Sequence, residues 1–244
     1  MFFDSLLSAI RFMTVLPAPK EKEWDPVVYG YAAAWYPVIG AILGGITAGF
    51  YYLISLIFPV SVAAILSLIC WILLTGGLHW DGLSDCCDGF FYAGSAEKRL
   101  SIMKDVNHGT FAVMGIVLTL LVKYVGIGKI IPQNAIYLFP LIAALARWGI
   151  LWMLRLPVVN PNGMAAALKS NIPRKAYWLA AILPLGLVFV GGIKGFILFA
   201  VAILVNFLLG ILAKSKINGI NGDVLGLTVE LTEAILLITG TAIY

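Results

Sequence analysis

The stretch TGGLHWDGLSDCCDGFF, residues 75–91, sets three acids among small and apolar residues. Asp81, Asp85 and Asp88 are spaced i, i+4, i+7, which puts them within about 60° of one helix face. Carboxylates that close repel one another strongly where water is scarce. Protonation or a cation held between them relieves the repulsion. Oxygen-only ligands suit a hard cation, Mg²⁺ first and then Mn²⁺ or Ca²⁺. Gly82, Ser84 and Gly89 leave room beside the acids for another backbone or a substrate. A solvated turn is the bland alternative. It gives no reason for a stripe of acids among Trp80, Leu83, Phe90 and Phe91.

A second acidic set lies in NGDVLGLTVELTEA, residues 221–234. Asp223, Glu230 and Glu233 share an arc of about 80° on a helix, with Gly226 on the same side. Ionisable residues inside a membrane span are costly and face a cavity or a partner. Glu230 and Glu233 therefore either join the metal site or pair with Arg147 or a neighbouring lysine. Between the two sets runs AEKRLSIMKDVNHG, residues 96–109. Glu97 to Lys104 reads as a short interfacial helix. Lys104 could hold a phosphate, and Asp105 could add a metal ligand. His79 and His108 could move a proton near neutral pH, or serve as structural hydrogen-bonders. Arg147 and Arg155 are followed by Asn160, Asn162 and Gly163. An arginine in a span needs an anion, and a carboxylate or a phosphate gripped by its fork would serve. The candidate catalytic residues are Asp85, Asp88, Lys104 and His79. Arg147, Arg155, His108 and Asn162 are expected on the substrate, and Asp81, Asp85, Asp88, Asp105, Asp223, Glu230 and Glu233 at the metal. A zinc site from His79, Cys86, Cys87 and His108 is disfavoured, because adjacent cysteines on a helix point apart. The three cysteines make no disulfide framework.

The elements that must carry these residues are membrane helices. Of 244 residues, 61% are hydrophobic and 11% charged, and mean hydropathy is +1.00. A soluble domain carries about a quarter charged residues. The net charge of +4 is better explained by membrane topology than by nucleic acid. Spans of about 20 apolar residues are expected near 29–56, 58–78, 109–128, 132–154, 176–193, 194–213 and 222–243. The expected fold is all-α and polytopic, with seven spans in a single membrane domain over 1–244. Residues 1–28 form an N-terminal interfacial helix and loop rather than a cleaved signal, and 79–108 the acidic segment. With the N-terminus in the cytoplasm, only Lys123, Lys129 and Lys194 of the sixteen Lys and Arg lie at outer ends, as the positive-inside rule requires. All twelve acids, including Glu21, Glu23 and Asp25, fall on the inner side. The site is therefore expected at the cytoplasmic face. The glycines of YPVIGAILGG, residues 36–45, are read as helix-packing contacts.

The chain resembles the cobalamin 5′-phosphate synthase, or adenosylcobinamide-GDP ribazoletransferase, family. The order Gly-Gly-x-His-x-Asp-Gly-Leu-x-Asp-x-x-Asp-Gly is matched at Gly76, Gly77, His79, Asp81, Gly82, Leu83, Asp85, Asp88 and Gly89. RFMTVLPAP, YPVIGAILGG, RLSIMKD with HG, and NGDVLGLTVELTEA extend the likeness over almost the whole chain. Cys86 and Cys87 stand where family members often have small residues such as Thr and Ala. Val106 and Asn107 replace a frequent Ser-Arg pair. The resemblance implies Mg²⁺-dependent transfer of the activated adenosylcobinamide phosphoryl group from adenosylcobinamide-GDP to α-ribazole or its 5′-phosphate. GMP would leave, in the last nucleotide-loop step of cobalamin biosynthesis at a bacterial or archaeal cytoplasmic membrane. For that reaction Asp88 or Asp85 is expected as the base. Membrane lipid and a second copy of the chain are the other partners the reading allows. A CDP-alcohol phosphotransferase would need an Ala-Arg pair after the first Asp-Gly and wider aspartate spacing. A divalent-cation transporter would need polar groups in the outer halves of the spans.

Overall fold

The computed structural model describes residues 2–19, 26–130 and 137–243. The inner-side assignments of Lys20, Glu21, Lys22, Glu23 and Asp25, and the start of the span expected at 132–154, lie outside the described residues. The elements are all helical: α1 (Phe2–Met13), α2 (Pro26–Ala32), a 3-10 turn (Ala33–Trp35), α3 (Tyr36–Ser55), α4 (Val60–Thr75), α5 (Leu78–Phe91) and α6 (Ala96–Ile102), then α7 (Thr110–Ile130), α8 (Leu138–Met153), α9 (Met164–Asn171), α10 (Arg174–Val190), α11 (Gly192–Ile217) and α12 (Gly222–Ile243). The one extended pairing among the described residues is a parallel bridge between Val158 and Ile220.

The chain is a polytopic membrane protein. Among the described residues, four helical units are long and apolar enough to cross a bilayer, against the seven spans expected: Pro26–Ser55, α7, α11 and α12. Two more arise if the bent pairs α4–α5 and α9–α10 each count as one span. α8 has 16 residues, about 24 Å of helix against a hydrocarbon core of about 30 Å. It is buried along almost its whole length, so it serves as a core helix. Large apolar side chains such as Leu53, Ile69, Leu118, Ile182 and Phe207 face outward.

Two local features shape the acidic region. Gly76 and Gly77 both adopt positive φ, 62° and 72°, which a side chain would disfavour. They end α4 and turn α5 through 95°, so the apolar run read as 58–78 stops at Thr75. After α1, the Val15 N–H donates to the Leu74 carbonyl at 3.0 Å. That contact docks the Thr14–Pro19 segment on the same corner. α12 is the central helix: 72% of its apolar window is buried, against 28% for α7. α3 lies on α8 through Gly40 and Gly44, as expected of small residues at a membrane-helix interface. A Cβ on Gly40 would come within 2.6 Å of the Arg147 Cδ.

Candidate active site

α5 and α12 cross at two glycines. A Cβ on Gly82 would lie 2.5 Å from the Asp223 carbonyl oxygen, and one on Gly226 would lie 3.0 Å from the His79 carbonyl oxygen. The bare backbones touch, and the contact brings the first turn of α12 against the acidic face of α5. Asp81 and Asp223 line one small cavity of about 120 Å³, together with His79, Phe12 and Ile150. Asp85 stands within electrostatic reach of Asp81, Asp223, His108 and Asp88. Among the described residues no hydrogen bond or ion pair engages the carboxylate of Asp81 or Asp85. Asp223 is held from one side, accepting from the Asn221 amide at 2.7 Å. The Asn221 side-chain oxygen accepts from the Val224 N–H at 3.0 Å, capping α12. Lys104 is within electrostatic reach of Asp223.

Asp88 has a different neighbourhood. One of its oxygens accepts from the Gly109 N–H at 2.5 Å and the other from the Ala112 N–H at 2.9 Å. The carboxylate thereby caps the N-terminus of α7, where anionic charge meets unpaired N–H groups and the positive end of the dipole. Gly109 is needed there, because a Cβ would come within 2.7 Å of Asp88 Oδ1. Ser84 Oγ and His108 Nδ1, 2.9 Å apart, tie the same loop to α5. Asp105 turns into its own loop and accepts from the Asn107 N–H at 3.0 Å and the Asn107 amide at 2.9 Å. Those bonds, the backbone one first, hold its carboxyl below the usual range. Asp88 remains within electrostatic reach of Asp85, whereas the Asp105 bonds stay within its own loop.

Glu230 and Glu233 lie deeper, in a buried ion network. Lys123 pairs with Glu230, and with Glu233 at 2.5 Å; Arg147 pairs with Glu233. The Lys123 ammonium sits 5.6 Å from the Trp71 ring and 5.1 Å from the Trp80 ring. Lys123 is 2% exposed, so its ammonium serves this network inside the helix packing. The ion-pair alternative raised for these glutamates is the arrangement found, with Arg147 fully buried against Glu233 rather than open to a substrate. His79 is buried between this network and the Asp81 cavity, and its Nδ1 has no partner among the described residues. Arg155 lies over the faces of Trp152 and Tyr177, at 5.1 and 5.6 Å. The Asn162 N–H donates to the Asn160 side-chain oxygen at 3.1 Å, and Asn162 lines a shallow outer cavity with Pro161 and Lys169. The structure thus brings Asp81, Asp85 and Asp223 together, with Lys104 nearby. It sets Glu230, Glu233 and Arg147 apart from them. Among the described residues no three His, Cys, Asp or Glu side chains converge tightly enough to enclose an ion as they stand. The sequence reading missed Lys123, whose signal was a lone cation well inside an apolar helix. It also missed Asn221, whose signal was its place one residue before α12.

A sequence model of the cobalamin-5-phosphate synthase family matches residues 5–241. The chain belongs to the cobalamin-5-phosphate synthase family. Curated relatives agree over nearly full length. An adenosylcobinamide-GDP ribazoletransferase of Clostridium tetani is 30% identical, covering 99% of this chain and 98% of its own. Enzymes of the same name from Pseudomonas aeruginosa and Pseudomonas syringae are 32% and 34% identical, each over at least 95% of both chains. No solved structure matches. The span matched to the cobalamin-5-phosphate synthase family includes the whole α5–α12 crossing, so the aspartate face lies within the family's shared region.

Proposed function

We propose that this chain is an adenosylcobinamide-GDP ribazoletransferase, acting at the cytoplasmic face of a bacterial or archaeal cytoplasmic membrane. The observation that carries the reading is the near-full-length match to enzymes of that name. The unpaired aspartates at the α5–α12 crossing supply chemistry that suits it. A ribose hydroxyl of α-ribazole, or of its 5′-phosphate, attacks the phosphorus nearest the cobinamide arm. The new P–O bond forms as the bond to the bridging oxygen breaks, and GMP leaves with that oxygen. Such a transfer rests on in-line positioning and on neutralising charge along the diphosphate.

Asp85 is the best-placed base for the hydroxyl proton, because Asp88 already accepts two backbone N–H groups. Lys104 balances charge on the diphosphate from the side of Asp223. The Asn221 amide keeps the Asp223 carboxylate turned toward α5. Asp81, Asp85 and Asp223 form an oxygen-only donor set with no competing cation on the first two. That composition fits Mg²⁺, with Asp81 and Asp223 as the residues that would hold it and Asp85 left free enough to take the proton. When bound, the ion would neutralise diphosphate charge. Lys123, Lys129 and Lys194 alone of the sixteen Lys and Arg fall at outer ends in this orientation, which supports an inward-facing site. The mutual pairing of the buried charges tells against a cation-transport path through the same helices.

Turnover in membranes tests the reading. Adding adenosylcobinamide-GDP and α-ribazole is expected to release GMP and form a cobalamin product, and Asp85→Asn is expected to abolish this while inserting normally. Normal turnover by Asp85→Asn, or none by the unaltered chain, contradicts it.

A further inference from the structure

A second cavity, of about 370 Å³, is lined by Asp223 but not by Asp81. Its walls include Leu100 and Lys104 at the end of α6, Asn160 and Gly163 from the loop after α8, and Asn221 ahead of α12. Asp223, Gly222, Met164 and Ala165 line this cavity and the smaller Asp81 cavity alike. A diphosphate at Asp223 would therefore have two compartments beside it.

The two compartments differ in polarity. The small one is walled by Phe12, Leu78, Ile150, Leu168 and Leu225, with Asp81, Asp223 and His79 as its polar members and no cationic or amide side chain. Beside Leu100, Val158 and Val159, the larger one carries the exposed Lys104 ammonium and the side-chain amides of Asn160 and Asn221. Its frame is also rigid. The Val159 N–H donates to the Ile220 carbonyl at 2.9 Å, and the Ile220 N–H to the Pro157 carbonyl at 2.8 Å. These bonds zip the Asn160 loop to the segment that carries Asn221. The Asn160 side-chain oxygen is used by the Asn162 N–H. Its amide nitrogen faces Gly163, where a Cβ would approach to 3.1 Å, and donates to no acceptor among the described residues.

Resting on the ribazoletransferase reading, we propose that the cavity bounded by Lys104, Asn160 and Asn221 seats the guanosine monophosphate half of the activated substrate. Lys104 takes the phosphate of the leaving nucleotide, and the Asn160 amide hydrogen-bonds the purine edge. The charged, water-soluble leaving group then departs through the polar compartment. The reacting phosphorus stays at Asp223, between Asp81 and Lys104. Asn160, rather than the expected Asn162, becomes the residue that recognises the nucleotide.

The test uses the full chain in lipid nanodiscs, with Asn160→Ala and, from a separate element, Lys104→Gln. GMP is expected to compete with adenosylcobinamide-GDP. Each variant is expected to raise the inhibition constant of GMP and the KM for adenosylcobinamide-GDP about tenfold, as loss of one hydrogen bond or charge contact would. The KM for α-ribazole stays unchanged. A rise confined to the α-ribazole KM, or an unaltered GMP constant in both variants, overturns the assignment. Equilibrium binding of labelled GMP needs no turnover. If the unaltered chain proves inactive, the reaction proposed above fails, while loss of GMP binding in both variants still upholds the subsite. Binding left intact, or absent from the unaltered chain as well, overturns it.

Discussion

Two groups of charges sit within a few turns of one another on α12, and the protein treats them in opposite ways. Glu230 and Glu233 are closed off, each paired with Lys123, and Glu233 with Arg147 as well. Asp223 opens onto two cavities and faces Asp81, whose carboxylate, like that of Asp85, has no partner among the described residues. A buried carboxylate must be paired, because the desolvation penalty of an isolated charge is several kcal/mol. One left without a partner at a cavity wall is poised for something brought in from outside. The contrast teaches that membrane acids alone do not mark a reaction centre. Their pairing separates the groups that hold the fold from those that receive a substrate.

The sharpest way to break this division is to strip the buried network. Lys123→Met leaves Glu230 without its cation, and removing one partner of a buried pair costs about 3–5 kcal/mol. Thermal unfolding in detergent is expected to show a large loss of stability, with activity falling only as folded protein is lost. Glu230→Gln is expected to be milder, lowering stability while leaving the KM values of the surviving enzyme unchanged. Slowed turnover by well-folded Glu230→Gln would move this residue to the reaction centre. Asp88→Ala removes the cap of α7 and should cost about 0.5–2 kcal/mol, read again by thermal unfolding. Cys86→Ala should be the quietest, with turnover close to that of the unaltered chain, because the buried thiol lies among apolar neighbours. A severe loss of turnover there would bring the thiol into the chemistry.

Much of this arrangement was legible in the residues. Apolar length located the helices, and the i, i+4, i+7 spacing put Asp81, Asp85 and Asp88 on one stripe. The arc shared by Asp223 and Gly226 marked the face of α12 that meets α5. What stayed hidden depended on depth and contact. Gly76 and Gly77 turn a continuous apolar run through 95°, and hydropathy does not see a change of direction. Asp88 reads as a third metal ligand until the start of α7 is known to lie against it. Lys123 reads only as a basic residue of the span 109–128 until α7 and α12 are seen to run side by side, which sets it opposite two glutamates. Asp105 was grouped with the metal ligands by proximity in sequence, whereas Asn107 holds it in a local turn.

The aspartate face of α5 and α12, and not the glutamate network, is proposed to grip Mg²⁺ for phosphoryl transfer. The most direct measurement is turnover as a function of free Mg²⁺, in the unaltered chain and in Asp81→Asn, Asp223→Asn and Glu230→Gln. Activity should vanish with a chelator and return with Mg²⁺. The half-saturating concentration should rise at least tenfold in both aspartate variants and stay constant in Glu230→Gln. Turnover that persists without divalent cations, or a Mg²⁺ dependence shifted by Glu230→Gln but by neither aspartate variant, would contradict it.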